Sequence, residues 1–145
     1  MIYAARVLIL LTVLANLGCT PKDPLAGLSV DDKAFLFADT ETDAPFLGQP
    51  LDNGPLNCYP QRMNQGYVLI DTADKLWLDS IRPTGVERHK VLSVTAFNNR
   101  FVVKAQNGVG VGFDLLIDRK DSDLASISWD GAKAELYRRC PSVPR

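Results

Sequence analysis

The chain has 145 residues, of which 46% are apolar and 23% charged, with 16 basic against 17 acidic side chains and one histidine. That length allows one domain, and that composition excludes a disordered chain. The near-zero net charge supplies no long-range positive field of the kind that draws proteins onto phosphate backbones, so nucleic acid is not an expected partner.

Residues 1–18, MIYAARVLILLTVLANLG, carry one charge, at Arg6, and every residue from Val7 to Leu17 except Thr12 and Asn16 is apolar. A helix of that run rises roughly 17 Å, short of the roughly 30 Å that a hydrocarbon core demands. A basic start leading into so short an apolar stretch reads as a secretory signal peptide. The junction at Gly18-Cys19 resembles the bacterial lipobox, in which Gly or Ala precedes the cysteine that receives diacylglycerol. Gly18 and Cys19 match it, while Asn16 and Leu17 stand where Leu-Ala or Leu-Ser is usual.

The resemblance implies lipidation at Cys19 and a mature chain that starts there. It also implies a membrane anchor of three acyl chains, each buried methylene contributing about 0.8 kcal/mol. The expected location is the bacterial cell envelope, and Thr20 rather than Asp after the cysteine implies the outer membrane, facing the periplasm. An uncleaved anchor and a plain secreted protein are the alternatives. The small-residue pair for ordinary signal peptidase, Gly18 and Thr20, would leave Pro21 as the first mature residue.

Residues 19–28 read as a lipidated tether, and 29–140 as a single β domain with a tail at 141–145. In SVDDKAFLFAD, Ser29 with Asp32 suits a helix cap, whereas Phe35 and Phe37 alternate as in a strand, so both readings stand. From Thr40 to Arg62, prolines at 45, 50, 55 and 60 and glycines at 48 and 54 argue against any regular element. This Pro-rich irregular segment is either a strap over the sheet or a recognition loop, with Pro45, Phe46 and Tyr59 as possible binding residues.

After Gly66 the chain reads as successive strands. GYVLID is one, and DKLWLDSI is either its hairpin partner or a short helix. In HKVLSVTAF-NN-RFVVKAQ a two-residue turn at Asn98-Asn99 pairs Phe97 with Arg100 and places Leu92, Val94, Ala96, Phe101, Val103 and Ala105 on one face. In VGVGFDLLID, Val109, Val111, Phe113, Leu115 and Ile117 share a face. A three-residue loop or Gly bulge before them is expected to set Ala105 opposite Val111 and Val103 opposite Phe113. In LASISW-DG-AKAELYRRC, a turn at Asp130-Gly131 aligns Ala125, Ile127 and Trp129 with Ala132, Ala134 and Leu136, and leaves Tyr137 on the polar face. The expectation is an all-β fold, a small antiparallel meander that curls into an up-and-down barrel or half-open sandwich.

With Cys19 lipidated, Cys58 and Cys140 form an even pair in an exported chain and are a disulfide candidate; two free thiols are the alternative. The bond would close a loop of about 82 residues, which the chain-entropy account values at roughly 4.5 kcal/mol. It would tie the start of the sheet to its finish.

Nothing in the sequence forms a catalytic or metal constellation. His89, in VERHK, reads as a solvated loop histidine, with Glu87 too close in sequence to be a signature. The acids Asp114, Asp118, Asp121 and Asp123 lack the turn glycine and closing glutamate of a calcium loop. Trp77, Trp129, Tyr59, Tyr67 and Tyr137 are candidates for a ligand mouth, with Trp129 better explained by packing and Tyr137 the open case. No cofactor is expected. The functional expectation is a non-enzymatic module that binds an envelope protein or other macromolecule. Membrane-bound lysozyme inhibitors are similar in layout, with a lipidated N-terminus, a small antiparallel barrel and a cysteine near each end. That layout implies inhibition of a cell-wall hydrolase as the alternative, although their Ser-Gly-x-x-Tyr loop has no counterpart here.

Overall fold

The computed structural model describes residues 23–38, 47–50, 66–72 and 75–139. The signal peptide, Cys19, Cys58, Cys140, the tail and the three possible binding residues Pro45, Phe46 and Tyr59 lie outside the described residues. Helix α1 (Val30–Leu36) runs directly into a short strand, β1 (Phe37–Ala38), so the two readings of that segment hold in succession. Ser29 accepts from the Asp32 amide and Asp32 accepts from the Ser29 amide, a reciprocal cap that fixes where the helix starts.

The remaining elements are β2 (Leu47–Pro50), β3 (Gly66–Asp71), β4 (Leu76–Arg82), β5 (Gly85–Phe97), β6 (Arg100–Gln106), β7 (Gly112–Arg119), β8 (Leu124–Trp129) and β9 (Glu135–Arg139). Strands β3 to β9 form an antiparallel meander, each pairing with the next. The free edge of β3 takes β1 in parallel along Leu69 and Ile70, and β2 at Tyr67. Because β2 also pairs with β9, the meander's first and last strands meet across a short bridging strand and the sheet curls into a small barrel. The bridging strand overturns the expectation that segment 40–62 holds no regular element. A strand this short ends at Pro50, where a missing N–H is tolerated.

The interior row is continuous: Tyr67 and Leu69 from β3, Leu76 and Leu78 from β4, Phe101, Val103 and Ala105 from β6, and Phe113, Leu115 and Ile117 from β7 are all buried. One end is closed by the N-terminal segment. Phe35 stacks on Phe101 at 6.0 Å, Leu25, Leu36 and Phe37 join the same core, and Arg119 and Arg139 lie over the outer side of the Phe35 ring. Asp31 holds Arg119 at 2.7 Å, and the Pro24 carbonyl accepts the Val94 amide, extending the pairing of β5 past the end of β4.

Three sequence expectations are corrected. The turn at Asn98-Asn99 pairs its strands as expected, with Asn98 at φ 54°, but a bulge at Leu92 sets Val91 opposite Ala105 and leaves Leu92 48% exposed. Val91 takes the interior place because His89, two residues before it, is also inside; the bulge is what reconciles that row with Val94 and Ala96.

The connection from β6 to β7 is a five-residue loop, Asn107 to Val111, which sets Ala105 opposite Phe113 and Val103 opposite Leu115. The expected face survives because the displacement is even, but Val109 and Val111 are in solvent. Between β8 and β9 the turn closes as expected, Ala132 donating to the Trp129 carbonyl with Asp130 and Gly131 both at positive φ. One extra residue is then absorbed before β9, so Ala125 faces Tyr137 and Ser126 faces Leu136. Tyr137 is therefore inside and Leu136 outside, the reverse of the expected register. The larger ring fills space beside Tyr67 and Trp129 that Leu136 cannot.

Replacing Tyr137 with Ala is expected to cost about 3–5 kcal/mol in urea unfolding, as other buried aromatics do. Leu136→Ala is expected to cost about 0.5 kcal/mol or less, as on exposed surfaces. The opposite order would restore the simpler register.

Candidate functional site

The two ends of the barrel differ. The end away from α1 carries the turn between β4 and β5, the five-residue loop between β6 and β7, and the turn between β8 and β9. Its interior is aromatic. Phe113 and Trp129 stack at 4.0 Å, Trp129 and Tyr67 at 5.9 Å, and Tyr137 tilts against Tyr67 at 5.5 Å. Strand alternation dictates this grouping, since each ring sits near the mouth end of its strand at an inward position.

A cavity of about 370 Å³ opens among these rings, its walls including Tyr67, Ile127, Trp129 and Tyr137 and its rim Arg82, Lys133 and Glu135. Burial, with the neighbouring Tyr67 and Glu135, pushes the Tyr137 phenol far above its usual range, so it stays protonated and donates to Glu135 at 3.3 Å. Of the aromatic residues expected at a mouth, Tyr67, Trp129 and Tyr137 meet here. Trp77 lies on the outer face of β4, beside Lys75 and Arg88. That face also carries a bidentate pair, Arg88 donating to both Asp79 oxygens at 2.7 and 2.8 Å.

His89 is the residue that the sequence misplaced. It is not in a solvated loop but on β5, facing inward, 2% exposed, with its ring edge on Phe113 at 4.9 Å and on Trp129 at 5.6 Å. Neither ring nitrogen finds a hydrogen-bond partner among the described residues. Burial lowers its pKa, Glu87 opposes that shift, Arg82 adds to it and Asp79 opposes it. With no described carboxylate or hydroxyl bonded to either nitrogen, the imidazole is not arranged as a general base. The alternation of His89 and Val91 with Arg88 and Lys90 was the available signal, extending the strand four residues further upstream than the hairpin suggested.

The acidic residues of the β7 region are dispersed. Asp114 pairs with Lys104 at 3.0 Å, Asp118 with Lys120 at 2.9 Å and Arg100 at 3.6 Å, and the Asp121 carboxylate accepts the amides of Asp123 and Leu124 in the turn before β8. Among the described residues, no group of three or more His, Cys, Asp or Glu side chains converges. Comparison with protein-family models, with curated proteins and with solved structures finds no match for this chain.

The loop between β6 and β7 is the most exposed apolar feature of the mouth. Val109 is 85% and Val111 59% exposed, yet the backbone beneath them is tied. Asn107 Oδ1 accepts both the Val109 and Val111 amides, at 3.1 and 2.9 Å, and the Gln106 side chain donates to the Gly110 carbonyl at 2.7 Å. Gly110, at φ 89°, supplies the one backbone conformation in this loop that a larger residue would resist.

Because folded His89 takes up its proton at lower pH than the unfolded chain, the unfolded state binds more protons once pH drops below about 6.5. Stability is thus complete above that pH and declines below it. His89→Leu should retain or exceed the wild-type stability at pH 8 and flatten that decline, as read by urea midpoints across pH.

Proposed function

We propose that the protein is a non-enzymatic binding module of the bacterial cell envelope, anchored through lipid on Cys19, that holds another periplasmic or surface macromolecule with the open end of its barrel. The observation that carries this reading is the stiff, solvent-exposed loop at the mouth. Apolar side chains held out on a tied backbone lose little conformational freedom when a partner covers them, so their burial converts into affinity. Val109, Val111 and the nearby strand residue Val86 supply apolar contact area there. The Gly18-Cys19 pair behind a signal-length apolar run supports the anchor and the envelope location.

The same loop favours a narrower reading. A rigid projection suits insertion into an enzyme cleft, as in an inhibitor or immunity protein against a cell-wall hydrolase such as lysozyme. The Cys58–Cys140 disulfide remains part of the proposal, supported by the meeting of the meander's two ends, β3 and β9, across β2.

Pull-down from envelope extract with the full-length protein, combined with its intact mass, tests anchor and partner together. A diacylglyceryl mass on Cys19 and a partner lost by more than about tenfold in Val109→Asp, the scale of a buried contact replaced by a charge, are the expected results. An unmodified Cys19, or capture indifferent to Val109→Asp, would refute the anchor or the contact surface respectively. Recovery of a hydrolase whose activity falls on binding would favour inhibition.

A further inference from the structure

The mouth cavity carries cations that the sheet does not use. Arg88, Arg100, Lys104, Arg119 and Lys120 each have a carboxylate within 3.6 Å. Arg82, at the end of β4, and Lys133, before β9, line the cavity and make no ion pair among the described residues. Glu135 is the one acid on that lining, and it accepts the Tyr137 hydroxyl. Positive charge at the rim is therefore in excess.

Below the rim the walls are flat. Tyr67 and Trp129 lie within 26° of parallel, with Ile127 and Pro83 completing an apolar slot. Behind Trp129 sits His89, fully enclosed, with both nitrogens unpartnered, so the fold keeps a polar group at the base of the aromatic cluster that its own hydrogen bonds do not require. We infer that this cavity binds a flat ring bearing a carboxylate, the ring lying along Tyr67 and Trp129 and the carboxylate held by Arg82 and Lys133. Offset aromatic contact orients the ring, and a guanidinium fork with a neighbouring ammonium matches a carboxylate. The ligand is either a free aromatic acid or the C-terminal aromatic residue of a partner chain, which present the same chemistry. This deepens the binding role proposed above and rests on the same end of the barrel.

The test uses the full mature chain with Trp77→Phe, so that fluorescence reports Trp129. Phenylacetate, its amide, and a short peptide ending in Phe with a free or an amidated terminus are titrated against it. A saturable change is expected for the acids, with the amides weaker by about tenfold, the scale of hydrogen bonds to a charged group. Arg82→Gln with Lys133→Gln should weaken the acids by a similar factor and leave the amides unchanged. Both side chains are exposed, so the variant keeps its fold, and near-ultraviolet circular dichroism confirms that.

Saturation by phenylacetate assigns a free acid, and saturation by the peptide alone assigns a chain terminus. Equal binding of acid and amide, acid affinity unchanged in the double variant, or no saturation in a folded protein would overturn the inference. Capture of an envelope partner through Val109 with no probe binding would refute the cavity while sparing the binding module. Probe binding without capture would do the reverse.

Discussion

A sheet that curls on itself has one interior, and every strand must turn the same alternate residues into it. Since side chains alternate with a period of two, any connection that adds an odd residue would throw the next strand's apolar row into water. This barrel meets that constraint at three places. The bulge at Leu92 brings His89 and Val91 into line with Val94, the five-residue loop after Gln106 keeps Phe113 and Leu115 inside, and the residue absorbed before Glu135 turns Tyr137 inward. Each irregularity sits toward the mouth half of the sheet, where its strands then deliver Phe113, His89 and Tyr137. The aromatic cluster is thus a product of how parity was restored.

The two ends embody different solutions to the same packing problem. At one, a short capped helix lays Phe35 over Phe101 and closes the core, with Arg119 and Arg139 covering the ring from outside. At the other no helix is supplied among the described residues, and large rings fill the taper while leaving a cavity between them. Closure across β3 and β9 depends on β2 alone near the mouth and on β1 nearer the plug, so the seam is the thinnest part of the wall.

Much of this was legible in the sequence because tight turns and alternation are local. Asn98-Asn99 and Asp130-Gly131 both close where their residue types demand, and the face containing Phe101, Val103 and Ala105 is inside as expected. What was not legible is non-local. Tyr137 lies inward because Tyr67, some seventy positions earlier in the chain, and Trp129 leave it room, which no pattern within β9 reveals. His89 reads as polar and solvated in VERHK, and only its place opposite Leu78 encloses it. Arg82 and Lys133 look ordinary in sequence; the cavity that they border exists only once β4 and β8 sit on one end of a barrel.

The hydrogen bond from the Val94 amide to the Pro24 carbonyl, and the burial of Leu25 beside Phe35, fix where the N-terminal segment joins the domain. It joins on the plugged half. Only Thr20, Pro21 and Lys22 separate Cys19 from the first described residue, a reach of about 14 Å even when fully extended. On the proposed lipid anchor, the domain would therefore ride close to the bilayer with its helix toward the lipid, its mouth turned outward and its freedom to tip limited by a very short leash.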